Sequence, residues 1–497
     1  MGIVQKASIK LTIVSYLGAA LGYFNKIVLF TNFLLPEQVG LINILNNVAA
    51  LYAQVSVLGI TSINIRFFPY FQEKEKQHHG FFFWGNCVIT LGFFITTILF
   101  LFLKPLVIHY YQVDSPLLVE FYYYTIPLAF GLLYFQFLES YLRALLKTVV
   151  STIVYELIGR ILVTVTISLY VLKLINFHQF VIIYVLANCI LALILLAYTA
   201  FLKQLFLSPG KSKRMNRLLK IVIVYGIFTI LSALGGQILG IIDSLIVTAK
   251  LGLAQAGIYT TVFLMTTIIL LPYRAIQKIA HPLLAGFWKE RNMSGMAELY
   301  RKTTLTDMVL GGFLFLVMWV NIFSFFRFMP KEYYPAKYTF LLLALARYID
   351  MATGLNGHII ITSKKFRFDL WSMLLLIVLT IILNLILIPL YGITGSALAT
   401  LISIALYNIL RLIFVQYFYS MQPFTLNCLW VLLITVGAWA ITSQIPAFHN
   451  KYFDIAVKST VVAIIYGIPI LYFKLSEDVN GLIYSYTKIK FFEPRDA

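Results

Sequence analysis

Arg347 and Asp350 stand three residues apart inside a long apolar run, so a helix puts both on one face, which Gly354 and Gly357 continue. A charge at the centre of a membrane helix costs about 2.5–3.5 kcal/mol, so each such residue needs a physical reason. Two reasons stand side by side: a structural ion pair holding two helices together, or a cavity-facing pair whose proton or ion occupancy is coupled to opening. Asn43, Asn47, Gln54 and Thr61 recur at helical spacing as one polar stripe. It serves either helix–helix hydrogen bonding or a watery face that contacts sugars. Arg66, Arg274 and Lys278 lie toward the cytoplasmic ends of their segments, where basic side chains suit phosphate oxygens, of a diphosphate or of lipid headgroups. Glu139 with Arg143 and Glu156 with Arg160 are i,i+4 pairs read as structural. No covalent chemistry is indicated. HExxH and GxSxG are absent, and Gly210-Lys211-Ser212 lacks the earlier glycine of a phosphate-cradling loop. His78 and His79 have no nearby ligand partners, and Cys87, Cys189 and Cys428 sit in apolar runs as packing residues. No catalytic residue, metal or cofactor is expected; the residues leave proton and sodium coupling both open.

The elements that must hold these residues follow from composition. Of 497 residues, 61% are hydrophobic and 11% charged, against the roughly 25% charged residues of a soluble domain. A span needs about 20 mostly apolar residues. Fourteen such segments begin near Ile9, Gly40, Phe81, Leu118, Thr152, Gln179, Ile221, Gly257, Thr304, Lys337, Leu370, Thr394, Leu426 and Ile455. With a cytoplasmic N-terminus, 27 Lys and Arg fall on the inner side and 8 on the outer, leaving Lys26, Arg160 and Arg347 within spans. That asymmetry orients the chain with both termini cytoplasmic. It also accounts for the net charge of +19 without nucleic acid, since no soluble domain presents a basic face. The first segment, after Lys6 and Lys10, is broken by Asn25 and Lys26 and is read as a retained helix rather than a signal peptide.

The chain also repeats. Asn25 to Gly40 (NKIVLFTNFLLPEQVG) aligns without a gap on Ile242 to Gly257 (IDSLIVTAKLGLAQAG), pairing Thr31 with Thr248, Gln38 with Gln255 and Gly40 with Gly257; further back, Gly18 meets Gly235. Lys26 and Asp243 fall at equivalent places, so they either face each other across a cleft or snorkel outward independently. The first and seventh segments both run outward, as a parallel repeat requires. The expected architecture is all-α and integral to the membrane, with about 14 transmembrane helices. Residues 1–202 form one six-helix lobe, 203–220 a basic cytoplasmic linker, 221–420 a second lobe, 421–475 an extra helix pair and 476–497 a cytoplasmic tail. Duplicated bundles suit alternating access.

Asn384-Leu-Ile-Leu-Ile-Pro389-Leu-Tyr-Gly392-Ile-Thr-Gly395-Ser-Ala397-Leu-Ala399-Thr resembles a recurring motif of polysaccharide flippases. So do Leu35-Pro36-Glu37-Gln38-Val39-Gly40 leading to Leu58-Gly59-Ile60 and Ile65-Arg66-Phe67-Phe68-Pro69, and the Asp243 to Tyr259 stretch ending Ala256-Gly257-Ile258-Tyr259. The chain is similar to the polysaccharide-transporter branch of the multidrug, oligosaccharidyl-lipid and polysaccharide exporter superfamily. The resemblance implies a V-shaped pair of lobes and transfer of an isoprenoid-diphosphate-linked oligosaccharide from the cytoplasmic to the outer leaflet of a bacterial inner membrane. In the lipid II-moving relatives, a corresponding extra helix pair forms a groove for the lipid tail. Membrane lipids and polysaccharide assembly proteins are the implied partners. The cavity is expected to use Lys26, Asn47, Arg66, Asp243, Arg274, Lys278, Arg347 and Asp350. A multidrug or organic-cation antiporter of the same fold is the alternative. Its cavity should be acidic, whereas the charges here lean basic. A sugar polymerase would need a large outer loop bearing catalytic groups, and the expected outer connections are short.

Overall fold

A computed structural model describes residues 14–210 and 213–487. The terminal basic residues Lys6, Lys10, Lys488, Lys490 and Arg495, with Lys211 of the linker, lie outside them. The chain is 86% helix with no strand among the described residues. Eight helices among the described residues are long and apolar enough to cross a membrane.

Local sequence explains where the helices start and bend. The first helix, α1 (14–33), ends at an extended Leu34–Leu35 step. Helix α2 (Pro36–Ser56) begins on a proline, whose missing N–H costs nothing in a first turn. The Gln38 side chain reaches back to the Leu35 N–H at 3.0 Å. Helix α3 (Ile60–Phe67) continues α2 across Gly59, whose φ of +76° suits glycine. Then come α4 (Phe81–Tyr111), α5 (Thr125–Ala144), α6 (Thr148–Val171) and α7 (Phe177–Phe201). The last is opened by a reciprocal cap in which Asn176 and Gln179 each bond the other's backbone N–H at 2.9 Å.

Helices α8 (Lys213–Thr266) and α13 (Arg367–Tyr419) contain 54 and 53 residues. At 1.5 Å per residue each would be ~80 Å long, more than twice the roughly 30 Å of a bilayer core. Each bends at a glycine with positive φ, Gly252 and Gly392, so neither is one straight rod. Between them lie α9 (Leu271–Glu290), α10 (Met293–Val320), α11 (Lys337–Ala352) and the short α12 (Asn356–Thr362). After α13 come α14 (Leu426–Thr442), α15 (Lys451–Tyr472) and α16 (Glu477–Thr487).

The chain forms two compact units, residues 1–257 and 258–497. In the first, two repeat-related glycines pack on each other. A methyl on Gly40 would collide with the Leu253 carbonyl, and one on Gly257 with the Pro36 carbonyl. Thr31 and Thr248 have like environments: each is fully buried and bonds the carbonyl four residues back at 2.6 Å. In the second unit α10 packs against α9, α11, α14 and α15, with Tyr466 bonding the Val309 carbonyl at 2.9 Å.

Candidate functional site: in-membrane polar clusters of the two units

In the first unit, Lys26 lies half-buried within a π-helical stretch of α1, Phe24–Leu29. Opposite it, Val154–Ile158 of α6 is also π-helical and contains Glu156. Such wide turns are rare and concentrate at functional sites. The face of α1 beside Lys26 carries no bulk: a Cβ at Gly18 would sit 2.6 Å from that of Glu156, and one at Gly22 would be 3.2 Å from Arg160 Nε. Buried Asn25 donates to the Arg160 carbonyl at 2.9 Å and accepts from Thr164 Oγ1 at 2.8 Å. Arg160 pairs with Glu156 at 3.8 Å and lies 5.5 Å from the Tyr155 ring centre. The ion pair with Glu156 is made by Arg160, and none of the ion pairs among the described residues includes Lys26. A cavity of about 430 Å³ adjoins this turn, lined by Gln136, Glu139, Arg143, Ser151, Thr152, Tyr155 and Glu156 among others; Glu139 and Arg143 form an ion pair on its wall.

The other expected residues of this unit lie elsewhere. Asn47 donates to Ser244 Oγ at 3.1 Å, a helix–helix bond next to Asp243, which is 7% exposed. Its neighbour Asn46 donates to the Tyr184 hydroxyl at 2.9 Å. Arg66 is exposed at the end of α3, its guanidinium 4.5 Å from the Tyr225 ring centre.

In the second unit, Arg274 and Lys278 are exposed one turn apart on α9. Arg347 is half-buried over the Phe263 ring at 4.4 Å. Asp350 accepts from Asn408 Nδ2 at 3.1 Å. Asn408 in turn accepts from Thr353 Oγ1 at 2.8 Å and Asn356 Nδ2 at 3.1 Å. One helical turn on, Arg411 pairs with Asp369, stacks at 4.0 Å on Tyr407 and occupies the space left by the missing side chain of Gly357.

Sequence reasoning passed over Asn408, Asp369 and the inward placement of Arg411; the i,i+4 pair it read at Glu156 and Arg160 is present. The signal for Asp369 was available, a charge at the edge of an apolar run, the same irregularity that marked Asp350. Among the described residues no group of three or more His, Cys, Asp or Glu is placed to hold a metal ion.

No family model matches the chain. It is 23% identical over 201 residues to the probable low-salt glycan biosynthesis flippase Agl15 of Haloferax volcanii, a match covering 40% of this chain and 42% of the relative. Less than half of that relative's length is thus spanned. The lipid II flippase MurJ superposes with a TM-score of 0.72 at 14% identity, over 97% of this chain and 100% of the other. An inward-facing multidrug MATE transporter of the MOP superfamily gives 0.66 at 15% identity, over 83% and 98%. The resemblance read from the motifs is met, and the chain has the multi-helix membrane fold that MurJ and MATE transporters share.

Proposed function

We propose that this protein is a flippase that carries a lipid-diphosphate-linked oligosaccharide from the cytoplasmic to the outer leaflet for surface polysaccharide synthesis. The observation that carries the reading is the pair of basic side chains held at in-membrane positions of the first unit, Lys26 in α1 and Arg160 in α6, of which Arg160 pairs with Glu156 at 3.8 Å. An anionic headgroup gains from such a place and a cation does not. Moving a diphosphate through a low-dielectric cleft requires compensating positive groups on its way. On this reading the lobes are 1–202 and 221–420, fourteen spans cross a cell membrane with both termini cytoplasmic, and Arg66, Arg274 and Lys278 receive the substrate from the inner leaflet. The Agl15 match and the MurJ likeness support the reading; the MATE likeness keeps an organic-cation antiporter as the second one.

The experiment is complementation of a cell lacking its own flippase. Arg347→Ala and Arg274→Ala should insert at normal levels and fail to restore surface glycan. Full restoration by both would overturn the anion-cavity mechanism. An antiporter would show no link to glycan display, and its loss would appear as sensitivity to cationic dyes.

A further inference from the structure

Asp307 lies midway along α10 and is 0% exposed, and neither of its carboxylate oxygens has a hydrogen-bond partner. None of the ion pairs among the described residues includes it. One turn before it, the Thr304 hydroxyl is also buried without a partner.

Its neighbours on the same helical stripe show what it faces. A methyl on Gly354 would collide with Thr304 Oγ1, and one on Gly311 would lie 2.7 Å from Met351 Sδ. Asp307 falls between Thr304 and Gly311, hence beside the C-terminal turn of α11. That helix ends at Ala352, and Gly354 follows with φ +66°; the Ile349 and Met351 carbonyls accept from the Thr353 and Gly354 N–H groups at 3.2 and 3.1 Å, and the Asp350 carbonyl from Thr353 Oγ1 at 2.9 Å. Two tyrosines attend to this break: Tyr300 donates to the Thr353 carbonyl at 3.2 Å and Tyr273 to the Gly354 carbonyl at 3.1 Å. A helix C-terminus carries partial negative charge and repels a carboxylate. A neutral carboxylic acid carries no charge for that end to repel, and its burial without a partner costs far less than a carboxylate's.

The titratable groups on the elements packed around α10 supply no counter-charge for Asp307. Among them are Tyr273 on α9, Tyr348, Arg347 and Asp350 on α11, Cys428 on α14, Tyr466 on α15 and Asp478 on α16, with Tyr300 and Lys302 on α10 itself, while the α9 cations Arg274, Lys278 and Lys289 are exposed. Arg347 lies over Phe263, Lys302 pairs with Glu298 and Glu477, and Lys458 of α15 with Asp454.

We propose that Asp307 is a protonation site of this transporter. It holds one proton as a neutral carboxylic acid while packed against the break at Gly354, and gives that proton to water when the packing opens. The coupling to transport rests on the transporter reading above; the existence of the site does not.

Infrared spectroscopy of the purified full chain in lipid, near neutral pH and without sodium, tests the site with no substrate present. The wild type should show the carbonyl stretch of a protonated carboxylic acid, shifted in heavy water. Asp307→Asn should lose the band, Asp307→Glu should move it, and Asp243→Asn and Asp350→Asn should keep it. A wild type with no band, or a band that persists in Asp307→Asn, overturns the proposal. So does a band that disappears when sodium alone is added, since the site would then be a cation site. In vesicles, Asp307→Asn should also lose the response of transport to an imposed pH gradient, and an unchanged response overturns the coupling. A lost band leaves the flippase reading untouched, and a failed glycan complementation leaves the band untouched, so the two fail separately.

Discussion

Asn408 bonds in three directions at once: to Asp350, to Thr353 and to Asn356. It therefore ties the α13 helix to both sides of the break between α11 and α12. Leaving a buried polar group unsatisfied costs about 1–3 kcal/mol. Asn408→Leu should then lower stability by roughly that much or more in detergent thermal melts. Asp350→Asn keeps an oxygen acceptor for Asn408 Nδ2 and should cost under about 1 kcal/mol. If the two variants melt alike, the negative charge of Asp350 is itself structural. Asp350 was legible in the sequence because a charge in an apolar run stands out. Its partner was not, because Asn408 is 58 residues away and only the fold brings it near. Asp307 breaks its apolar run in the same way, yet the boundaries of that span are blurred by Glu298, Arg301 and Lys302. The sequence reading did not single it out.

At the scale of helices, the glycines separate into contact points and spares. Gly40 and Gly257 each meet a backbone carbonyl where a methyl would go, whereas Gly286 in α9 has nothing within 4 Å of that position. Overpacking against backbone that cannot yield costs about 1–3 kcal/mol, while Gly→Ala inside a helix gains about 0.5–1 kcal/mol. Gly40→Ala and Gly257→Ala should lower the melting midpoint, and Gly286→Ala should hold or raise it. Equal melting of all three would mean that the glycine crossing is loose. This crossing could be anticipated, since the gapless repeat already paired Gly40 with Gly257; that they touch could not. Helical periodicity likewise foresaw α2 but gave no hint of the π turns in α1 and α6, nor that Gly59 sets Thr61 on a separate helix from Asn43, Asn47 and Gln54. The π turn of α1 contains Asn25, which bonds Arg160 and Thr164 of α6, a tertiary contact with no local signature.

For the whole molecule, the uneven distribution of Lys and Arg makes a claim about sidedness. In a background without Cys87, Cys189 and Cys428, Ser208→Cys should react with an impermeant maleimide only from the cytoplasmic side. Val113→Cys, at a position 88% exposed, should react only from outside. The reverse pattern would invert every leaflet assignment made above. Composition and charge made the membrane character of the chain plain, because hydrocarbon admits few charges whatever the fold. Which polar groups gather within each unit depended on packing, and there the sequence was nearly silent. One consequence reaches along the chain. A π turn holds one residue more than the α turn it replaces, so α1 and α6 are each a residue longer than their height requires. Counting by α-helical steps from Gly18 toward Phe33, or from Thr148 toward Val171, thus slips by one partway. Any comparison with a relative that lacks these wide turns needs a single-residue gap inside both helices before Lys26 and Arg160 can be matched to their true counterparts.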